Sequence, residues 1–345
     1  MGPGMDDRAT QVLRYIVEDY ISTAEPVGSR TISKKMGQAL SPATIRNIMA
    51  DLEEMGFLVQ PHTSAGRVPT GIGFRYYIDH LLLRRSLARG EVDQLNLAAL
   101  EEGTPADELV RQASRLLANL ACQASVVILS RPDQQKLRSV NLMRAATDKI
   151  LLVAVMQGGH VQHRLIDGEP DITGDEIEKI NAYLNDLAEG LTLPQLRVRI
   201  LSELRKEKAR YDRVMHRALT VGARALADSG LGEVFVEGRA NILDQPEFAE
   251  DVQRLKRILR AFEEKSVIFR LLDRAMSSQA IQVSIGSENP VEDLGDVSVV
   301  ASGYLQGPSA VGSIGLIGPV RMDYSRVIPL VEYTANLLTT MFGQR

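Results

Sequence analysis

The apolar positions of the first eighty residues recur at helical spacing in three short segments. The first segment follows Arg8 and places its apolar side chains on one face of a helix. Pro26 and Gly28 interrupt that pattern, and a second short helix, "SRTISKKM", then ends at Gly37. The pattern therefore predicts two short helices that are followed, after a glycine turn, by the third segment.

The third segment, "SPATIRNIMADLEEMG", has a start signal and a stop signal. Ser41 suits the N-cap of a helix, Pro42 suits its first position, and Gly56 ends it. The residues predicted to face the core share helical spacing: Ile45, Ile48, Met49, Leu52 and Met55. The outward positions near the start of this helix are then Ala43, Thr44, Arg46 and Asn47.

A strand-like stretch, "FLVQP", follows the third helix, and a polar loop, "HTSAGRVPT", comes next. The amphipathic segment "GFRYYIDHLL" closes this part of the chain. Helix, tight turn, helix, strand and loop is the order of a winged helix-turn-helix unit, whose second helix enters the DNA major groove. We therefore predict a winged helix-turn-helix DNA-binding domain over residues 1–83.

The outward residues of the third helix have the chemistry to read bases. Arginine can bridge two guanine acceptors, asparagine can pair with adenine, and alanine or threonine can contact a thymine methyl group. The predicted readers are Ala43, Thr44, Arg46 and Asn47, and Ser41 with the helix N-terminus suits a phosphate. Further phosphate contacts are predicted at Arg30, Lys34 and Lys35 on the second helix, and at His62, Thr63, Ser64 and Arg67 in the loop.

The charge balance gives no general support for nucleic-acid binding. The formal net charge of the chain is −4. Residues 1–80 contain eight Lys and Arg and nine Asp and Glu, so binding DNA requires acidic and basic side chains to lie on different sides. A protein-contact module with the same fold therefore stays open as an alternative.

The remainder of the chain predicts an α+β domain with an insertion. Residues 84–104 are charged and polar and are predicted to form a linker. One helix and four strands follow up to residue 168, then mostly helices, and from residue 279 strands return before a last helix. We predict one sheet domain formed by residues 105–168 and 261–345, with a mostly helical domain, residues 169–260, inserted in it.

The sequence offers no catalytic constellation or metal site. The glycine-rich stretch "GPSAVGSIGLIGP" lacks the Gly-Lys-Ser/Thr end of a phosphate loop. His160 and His163 lie three apart on one predicted strand and so point to opposite faces. Cys122 has no second cysteine to pair with, and neither a signal peptide nor a membrane-length apolar run is visible. We expect a cytoplasmic protein that is not an enzyme and binds no metal or cofactor.

Four stretches closely resemble the heat-inducible transcription repressor family HrcA: "VGSRTISKKM", "LSPATIRNIMADLEEMGFLVQPHTSAGRVPT", "GFRYYIDHLL" and "GLIGPVRMDYSRVIPLVEY". The resemblance implies a winged helix-turn-helix domain, a GAF-like α/β sheet domain and a dimerising domain inserted in the latter. It implies a homodimeric repressor of heat-shock chaperone operons that binds the CIRCE inverted repeat. It also implies that the GroEL chaperonin helps to keep the repressor active and that heat stress relieves repression.

Two-fold symmetric protomers are suited to an inverted repeat, because each reads one half-site. The helices after residue 170 carry apolar stripes that could form such a dimer contact, with plain core packing as the alternative for each residue: Ile177, Ile180, Leu184, Leu187, Val214, Ala218 and Val221. Two other functions stay open. One is a small-molecule-sensing regulator with a pocket in the GAF-like domain, and the other is a module that only binds proteins.

Overall fold

The computed structural model describes residues 5–62, 65–97, 104–129, 136–157, 161–167, 172–205, 213–225, 232–249, 251–276, 280–306 and 309–343. The chain forms two compact units. The first consists of Met1–Leu129 and Val234–Arg345, and the second of Ser130–Glu233. Both units contain helices and antiparallel strands in separate runs along the chain, as in an α+β fold.

The first unit begins with three helices and a two-stranded pair. They are α1 (Asp7–Thr23), α2 (Ser29–Lys35), α3 (Pro42–Glu54), β1 (Leu58–Val59) and β2 (Val68–Pro69). The pair is antiparallel, with Leu58 opposite Pro69. Helix α4 (Gly71–Tyr76) follows and continues as a π-helical turn (Tyr77–Leu81). Its N-cap is Thr70, whose side chain accepts from the Gly73 N–H at 3.1 Å.

A five-stranded sheet forms the centre of the first unit, in the order β7-β3-β10-β9-β8. The strands are β3 (Ala124–Leu129), β7 (Glu233–Glu237), β8 (Gln282–Ile285), β9 (Val297–Gln306) and β10 (Ser309–Pro319). Strand β10 is antiparallel to both β3 and β9, and β8 is antiparallel to β9. Strand β3 is buried along its whole length, because helices cover both faces of the sheet.

The helices of the first unit pack in two layers around this sheet. Helices α6 (Ala106–Ala121) and α14 (Tyr324–Gly343) cover one face, and α13 (Lys265–Met276) covers the other. The remaining helices are α5 (Arg89–Leu97), α10 (Ala240–Leu243), α11 (Pro246–Ala249) and α12 (Val252–Glu263). Pro329 lies inside α14 without ending it.

One hydrophobic core connects the N-terminal helices with the sheet. Phe74 of α4 lies between two tyrosines, with its ring centroid 6.3 Å from that of Tyr20 and 6.2 Å from that of Tyr324. The predicted linker, residues 84–104, is wrong in part, because it contains α5. Leu95 of α5 is buried in the same core, so its apolar side chain explains why this segment folds onto the unit.

The second unit packs three helices against a three-stranded antiparallel sheet of order β4-β5-β6. The strands are β4 (Leu137–Ala146), β5 (Lys149–Met156) and β6 (Val161–Asp167), and the helices are α7 (Gly174–Ala188), α8 (Leu193–Arg205) and α9 (Arg213–Ala225). Buried and less buried residues alternate along β5, so the inward face is apolar. Helix α7 starts with a capping box formed by Thr173 and Glu176.

Two asparagines of α7 cover the outer edge of β4. The side-chain amide of Asn185 donates to the Val140 carbonyl at 2.7 Å and accepts from the Val140 N–H at 2.9 Å. Asn181 makes the same pair of bonds with Leu142, at 3.0 and 2.7 Å. These amides bond the backbone groups of Val140 and Leu142 that a neighbouring strand would otherwise pair with, so this part of the edge is protected.

The outward face of this sheet, on the side away from its three helices, carries apolar residues with polar ones among them. Its residues form three rows across the strands: Met143–Leu151–Leu165, Asn141–Val153–His163 and Ser139–Val155–Val161. Met143, Val161 and Leu165 are 48%, 49% and 55% exposed. We call the six apolar residues the outer sheet face: Met143, Leu151, Val153, Val155, Val161 and Leu165.

The compact inserted unit differs from the predicted insertion, residues 169–260. It starts at Ser130, because β4, β5 and β6 pair with one another and form no part of the five-stranded sheet. It ends at Glu233, because α13 packs on β9 and β10, and α12 packs on α13. Alternating patterns in the sequence identify strands but do not say which strands pair.

Six of the seven residues predicted for dimerisation are core residues of the second unit. Ile177, Ile180, Leu184, Leu187, Ala218 and Val221 are buried within one chain. They are therefore not available to a partner in this structure, and core packing, the alternative reading, holds for them. The side chain of Val214 lies outside the described residues. An apolar stripe shows that a helix face is buried, but it does not say against what.

Candidate nucleic-acid interface

Helix α3 presents a polar start to solvent. The Ser41 side chain caps it, accepting from the Thr44 N–H at 3.1 Å, and its hydroxyl lies 2.9 Å from that of Thr44. Ile45, Met49 and Leu52 are buried, as the spacing predicts, and Ile48 packs partly against the core. Ala43, Thr44, Arg46 and Asn47 are all exposed. Met55 was predicted to face inward, but it is exposed because the helix has ended there.

The turn between α2 and α3 is fixed by a short hydrogen-bond network. Gly37 and Gln38 both have positive φ, +63° and +61°. The Gln38 N–H donates to the Ser33 carbonyl at 2.8 Å, and the Ser33 hydroxyl donates to the Leu40 carbonyl at 2.8 Å. The two helices therefore meet at a defined angle, and the start of α3 is held beside the end of α2.

An open pocket of about 430 Å³ lies between these helices. Its lining includes the cations Arg30 and Lys34 together with polar and apolar side chains: Ser33, Gln38, Leu40, Ser41 and Pro42. Gln38 was not predicted as a site residue. A positive φ at glutamine is not visible in the sequence, since glycine or asparagine is the usual residue there. The pocket joins the cations of α2 to the start of α3.

The loop after β1 is tied to the rest of the N-terminal part at its base. The Val27 and Arg67 backbones exchange two hydrogen bonds of 2.9 Å, which add a third short strand segment beside the β1–β2 pair. The Gln60 side chain donates to the Ala65 carbonyl at 3.0 Å. His62 is exposed in this loop, and Thr63 and Ser64 lie outside the described residues.

Two of the predicted phosphate contacts have carboxylate partners instead. The Arg67 Nε lies 2.8 Å from a Glu53 oxygen, and the Arg67 side chain is only 19% exposed. Lys35 pairs with Asp19, whose carboxylate is nearly buried. Both partners come from a distant part of the sequence or another element, so residue spacing did not reveal them. The structure assigns Lys35 and Arg67 to holding the N-terminal elements together.

The other predicted cations are free. Within the described residues, Arg30, Lys34 and Arg46 have no carboxylate partner, and all three are exposed. The acids of α3, Asp51, Glu53 and Glu54, occupy its last turn, and Glu53 faces Arg67. Acidic and basic side chains are thus separated along α3, which the net charge of this region did not reveal.

The comparisons with known proteins decide the family. A family model described as the HrcA protein C-terminal domain matches residues 107–328. A protein named heat-inducible transcription repressor HrcA from Geobacter sulfurreducens is 42% identical over 337 residues, covering 98% of each chain. One of the same name from Syntrophobacter fumaroxidans is 44% identical over 342 residues, covering 99% of this chain and 98% of the relative.

The chain belongs to the HrcA family of heat-inducible transcription repressors. Its relatives are named as transcription repressors, which places it in a family of transcription regulators. A crystal structure of a protein named only as hypothetical covers 99% of both chains, with a TM-score of 0.59 at 23% identity, and so shares the fold.

Two further kinds of feature are absent from the described residues. None of the helices there is both long and apolar enough to cross a bilayer. Three or more His, Cys, Asp or Glu side chains do not come together as a metal site within the same residues.

Proposed function

We propose that residues 1–83 are a winged helix-turn-helix domain that reads double-stranded DNA. We call Ser41, Ala43, Thr44, Arg46 and Asn47 the reading surface. The observation that carries the proposal is that these five residues are exposed together at the capped start of α3. Arginine and asparagine there can hydrogen-bond guanine and adenine in the major groove, and the free N–H groups of the helix start favour a phosphate.

Phosphate contacts in this proposal come from Arg30, Lys34 and the exposed loop that carries His62. Arg30 and Lys34 line the pocket beside Ser41, and as free cations they can each neutralise one phosphate. Lys35 and Arg67 take no direct part, since their charges are already paired. The loop and the β1–β2 pair form the wing, which would follow the backbone next to the groove.

The proposed operator is the CIRCE inverted repeat upstream of chaperone genes, bound by a homodimer. The outer sheet face of the second unit is a suitable dimer contact. Exposed apolar residues that lie close together on a soluble domain commonly mark an interface, and such a face can meet its own copy across a two-fold axis. Asn141 and His163, in the middle row of this face, would add polar contacts there. A second copy is the expected occupant because an inverted repeat needs two identical readers.

We further propose that a chaperonin of the GroEL type keeps the repressor active and that heat stress relieves repression. The basis is membership of a family whose members are named heat-inducible repressors. Warming would reduce the folded, dimeric fraction, and a chaperonin that binds the unfolded form would return it to the active pool. The test is whether added chaperonin and ATP raise the DNA-binding fraction of heated protein.

The DNA-binding proposal is tested by titrating a labelled inverted-repeat duplex with the purified protein. Two further duplexes serve as controls, one with a single half-site scrambled and one with both scrambled. We expect tight binding to the intact repeat and weak, salt-sensitive binding to the doubly scrambled duplex. Equal affinity for all three duplexes would contradict sequence-specific reading, and no binding to any of them at low salt would leave only the protein-contact alternative. In the described part of the chain, no observation favours the small-molecule sensor over the DNA reader.

A further inference from the structure

The winged-helix elements are fastened to the five-stranded sheet part by an ion pair on α4. We call residues 5–81 the reading head. Arg75 donates from Nε to one Glu288 oxygen at 3.0 Å, and its Nη2 reaches the other Glu288 oxygen and the Val283 carbonyl, the latter at 2.7 Å. Glu288 also accepts from the Ile285 N–H at 2.9 Å. The Arg75 guanidinium thus bonds three oxygen atoms: the Val283 carbonyl oxygen of β8 and both carboxylate oxygens of Glu288, in the turn after β8.

A second arginine contacts the reading head at α1. Arg321, between β10 and α14, donates to the Ile21 carbonyl of α1 at 3.1 Å and forms a two-point ion pair with Glu247. Both side chains of this pair are largely buried. Two-point arginine–carboxylate pairs fix orientation as well as distance. The head is therefore anchored at α1 and at α4.

The segment that follows the reading head, residues 82–97, is also held in place, by contacts with α14. Pro329 has no N–H, so the carbonyl of Ser325, four residues earlier, lacks its usual helical partner. The Arg85 N–H donates to that carbonyl at 3.0 Å. Farther along, Arg326 donates to Glu91 at 2.9 Å, and the Tyr333 hydroxyl donates to Asn96 at 2.9 Å. The segment predicted as a linker is thus held along the helix.

These contacts leave the reading surface exposed, and they restrict movement of the reading head relative to the five-stranded sheet part. A dimer with loosely tethered heads would accept half-sites at several separations and would pay an ordering cost at each one. Fixing each head on the five-stranded sheet part removes one source of this freedom, so fewer separations are bound well. Resting on the proposed function, we propose that Arg75 and Glu288 are positioning residues that fix the reading head and thereby narrow the half-site spacing that the repressor accepts.

The first test compares spacing profiles of full-length protein. Duplexes carry two half-sites whose separation changes in single base-pair steps over one helical turn, and another duplex carries one half-site. Arg75→Leu keeps an apolar side chain on α4 but removes the ion pair with Glu288 and the hydrogen bond to Val283. Arg84→Leu is the matched control, because Arg84 pairs with Glu332 at the surface with both side chains about half exposed.

We expect wild type and Arg84→Leu to lose about tenfold or more in affinity away from the best spacing. For Arg75→Leu we expect a profile flattened to about threefold, with single half-site affinity unchanged, because the reading surface itself is intact. An Arg75→Leu profile as sharp as that of wild type would overturn the inference. So would an equal loss on the single half-site, since that indicates damage to the head and not to its positioning.

The second test follows the head without DNA. In a Cys122→Ser background, spin labels are attached at Glu54→Cys on α3 and Arg270→Cys on α13, both exposed positions. We expect a narrow distance distribution that becomes broad when Arg75→Leu is added. A broad distance distribution in the labelled protein that retains Arg75 would contradict the inference that the head is fixed. Failure of the unmodified protein to bind any duplex would instead contradict the proposed function, and the label distances distinguish the two cases.

Discussion

Asp19 of α1 forms an ion pair with Lys35 of α2 and leaves the neighbouring Lys34 free. The Asp19 carboxylate is nearly buried, so the pair fastens two helices of the reading head. Two adjacent lysines therefore have different surroundings, and we propose different roles for them: phosphate contact for Lys34 and stability for Lys35. Replacing each lysine in turn therefore distinguishes an effect on DNA binding from an effect on stability.

For Lys34→Ala we expect uniformly weaker DNA binding and a salt slope that is smaller by about 0.9, the effect of one lost phosphate contact. For Lys35→Ala we expect little change in salt slope but a loss of about 1–3 kcal/mol in stability, because the Asp19 carboxylate loses its partner. Titrations at several salt concentrations and urea unfolding measure the two effects. Equal salt slopes for wild type and Lys34→Ala would mean that Lys34 is only a solvated surface residue.

A close backbone approach makes Gly66 necessary for the wing. A Cβ at this position would lie 2.4 Å from the Val27 carbonyl oxygen, within the two-bond bridge to Arg67. We expect Gly66→Ala to cost about 1–3 kcal/mol, because the backbones must separate. Gly71→Ala is the control, since a Cβ there meets nothing within 4 Å at the start of α4. Thermal unfolding of the two variants should differ clearly; similar melting temperatures would show that the bridge can yield.

The outer sheet face predicts a defined change in oligomeric state. Leu165→Asp puts a charge on the proposed contact, at a residue that is 55% exposed, and should give monomers in sedimentation velocity. Val198→Asp on α8 is the control, because Val198 is 68% exposed yet lies outside that face. Leu184→Ala should lower stability by about 2–5 kcal/mol instead, as expected of a core residue. Persistent dimers of Leu165→Asp would place the interface elsewhere.

The Arg75–Glu288 pair gives a pH-dependent contribution to stability. Burial alone would raise the pKa of Glu288, but hydrogen bonds from Arg75 and the Ile285 N–H, with the charge of Arg274 nearby, hold this pKa below its usual value of 4.5. The contribution is therefore present above about pH 4.5 and is lost as the pH falls through the lower folded-state pKa.

Glu288→Gln should consequently be less stable than wild type at neutral pH, by about 1 kcal/mol or less, since the Glu288 side chain is 38% exposed. The gap should close in acid, where wild-type Glu288 is itself protonated. Urea unfolding of both proteins at pH 7 and below pH 4 gives the comparison. An equal difference in unfolding free energy at both pH values would mean that the effect comes from the change in packing and hydrogen bonding and not from the loss of charge.

Local features of the sequence predicted local structure well. The N-cap Ser41 and the spacing of Ile45, Met49 and Leu52 gave the start and the buried side of α3, and so identified the exposed Arg46 and Asn47. These signals act within one or two helical turns, where spacing alone fixes which residues share a face.

Long-range partners could not be predicted in the same way. The ion pairs of Lys35 and Arg67, the packing of Leu95 and the separate sheet of β4–β6 all depend on residues brought together by the tertiary fold. The same limit explains the predicted dimer residues, because a buried helix face has the same pattern whether it packs within one chain or between two. Pro329 carried a usable signal, since its missing N–H leaves one acceptor for another segment.

The most direct test of the DNA-reading proposal concerns Arg46. Wild type and Arg46→Ala are titrated with an inverted-repeat duplex and with a set in which each base pair of both half-sites is changed symmetrically. If Arg46 reads a base, wild type loses about 1–3 kcal/mol at one position, and Arg46→Ala binds the intact repeat more weakly but no longer discriminates at that position. If Arg46→Ala keeps the affinity and the discrimination of wild type at every position, the start of α3 does not read DNA.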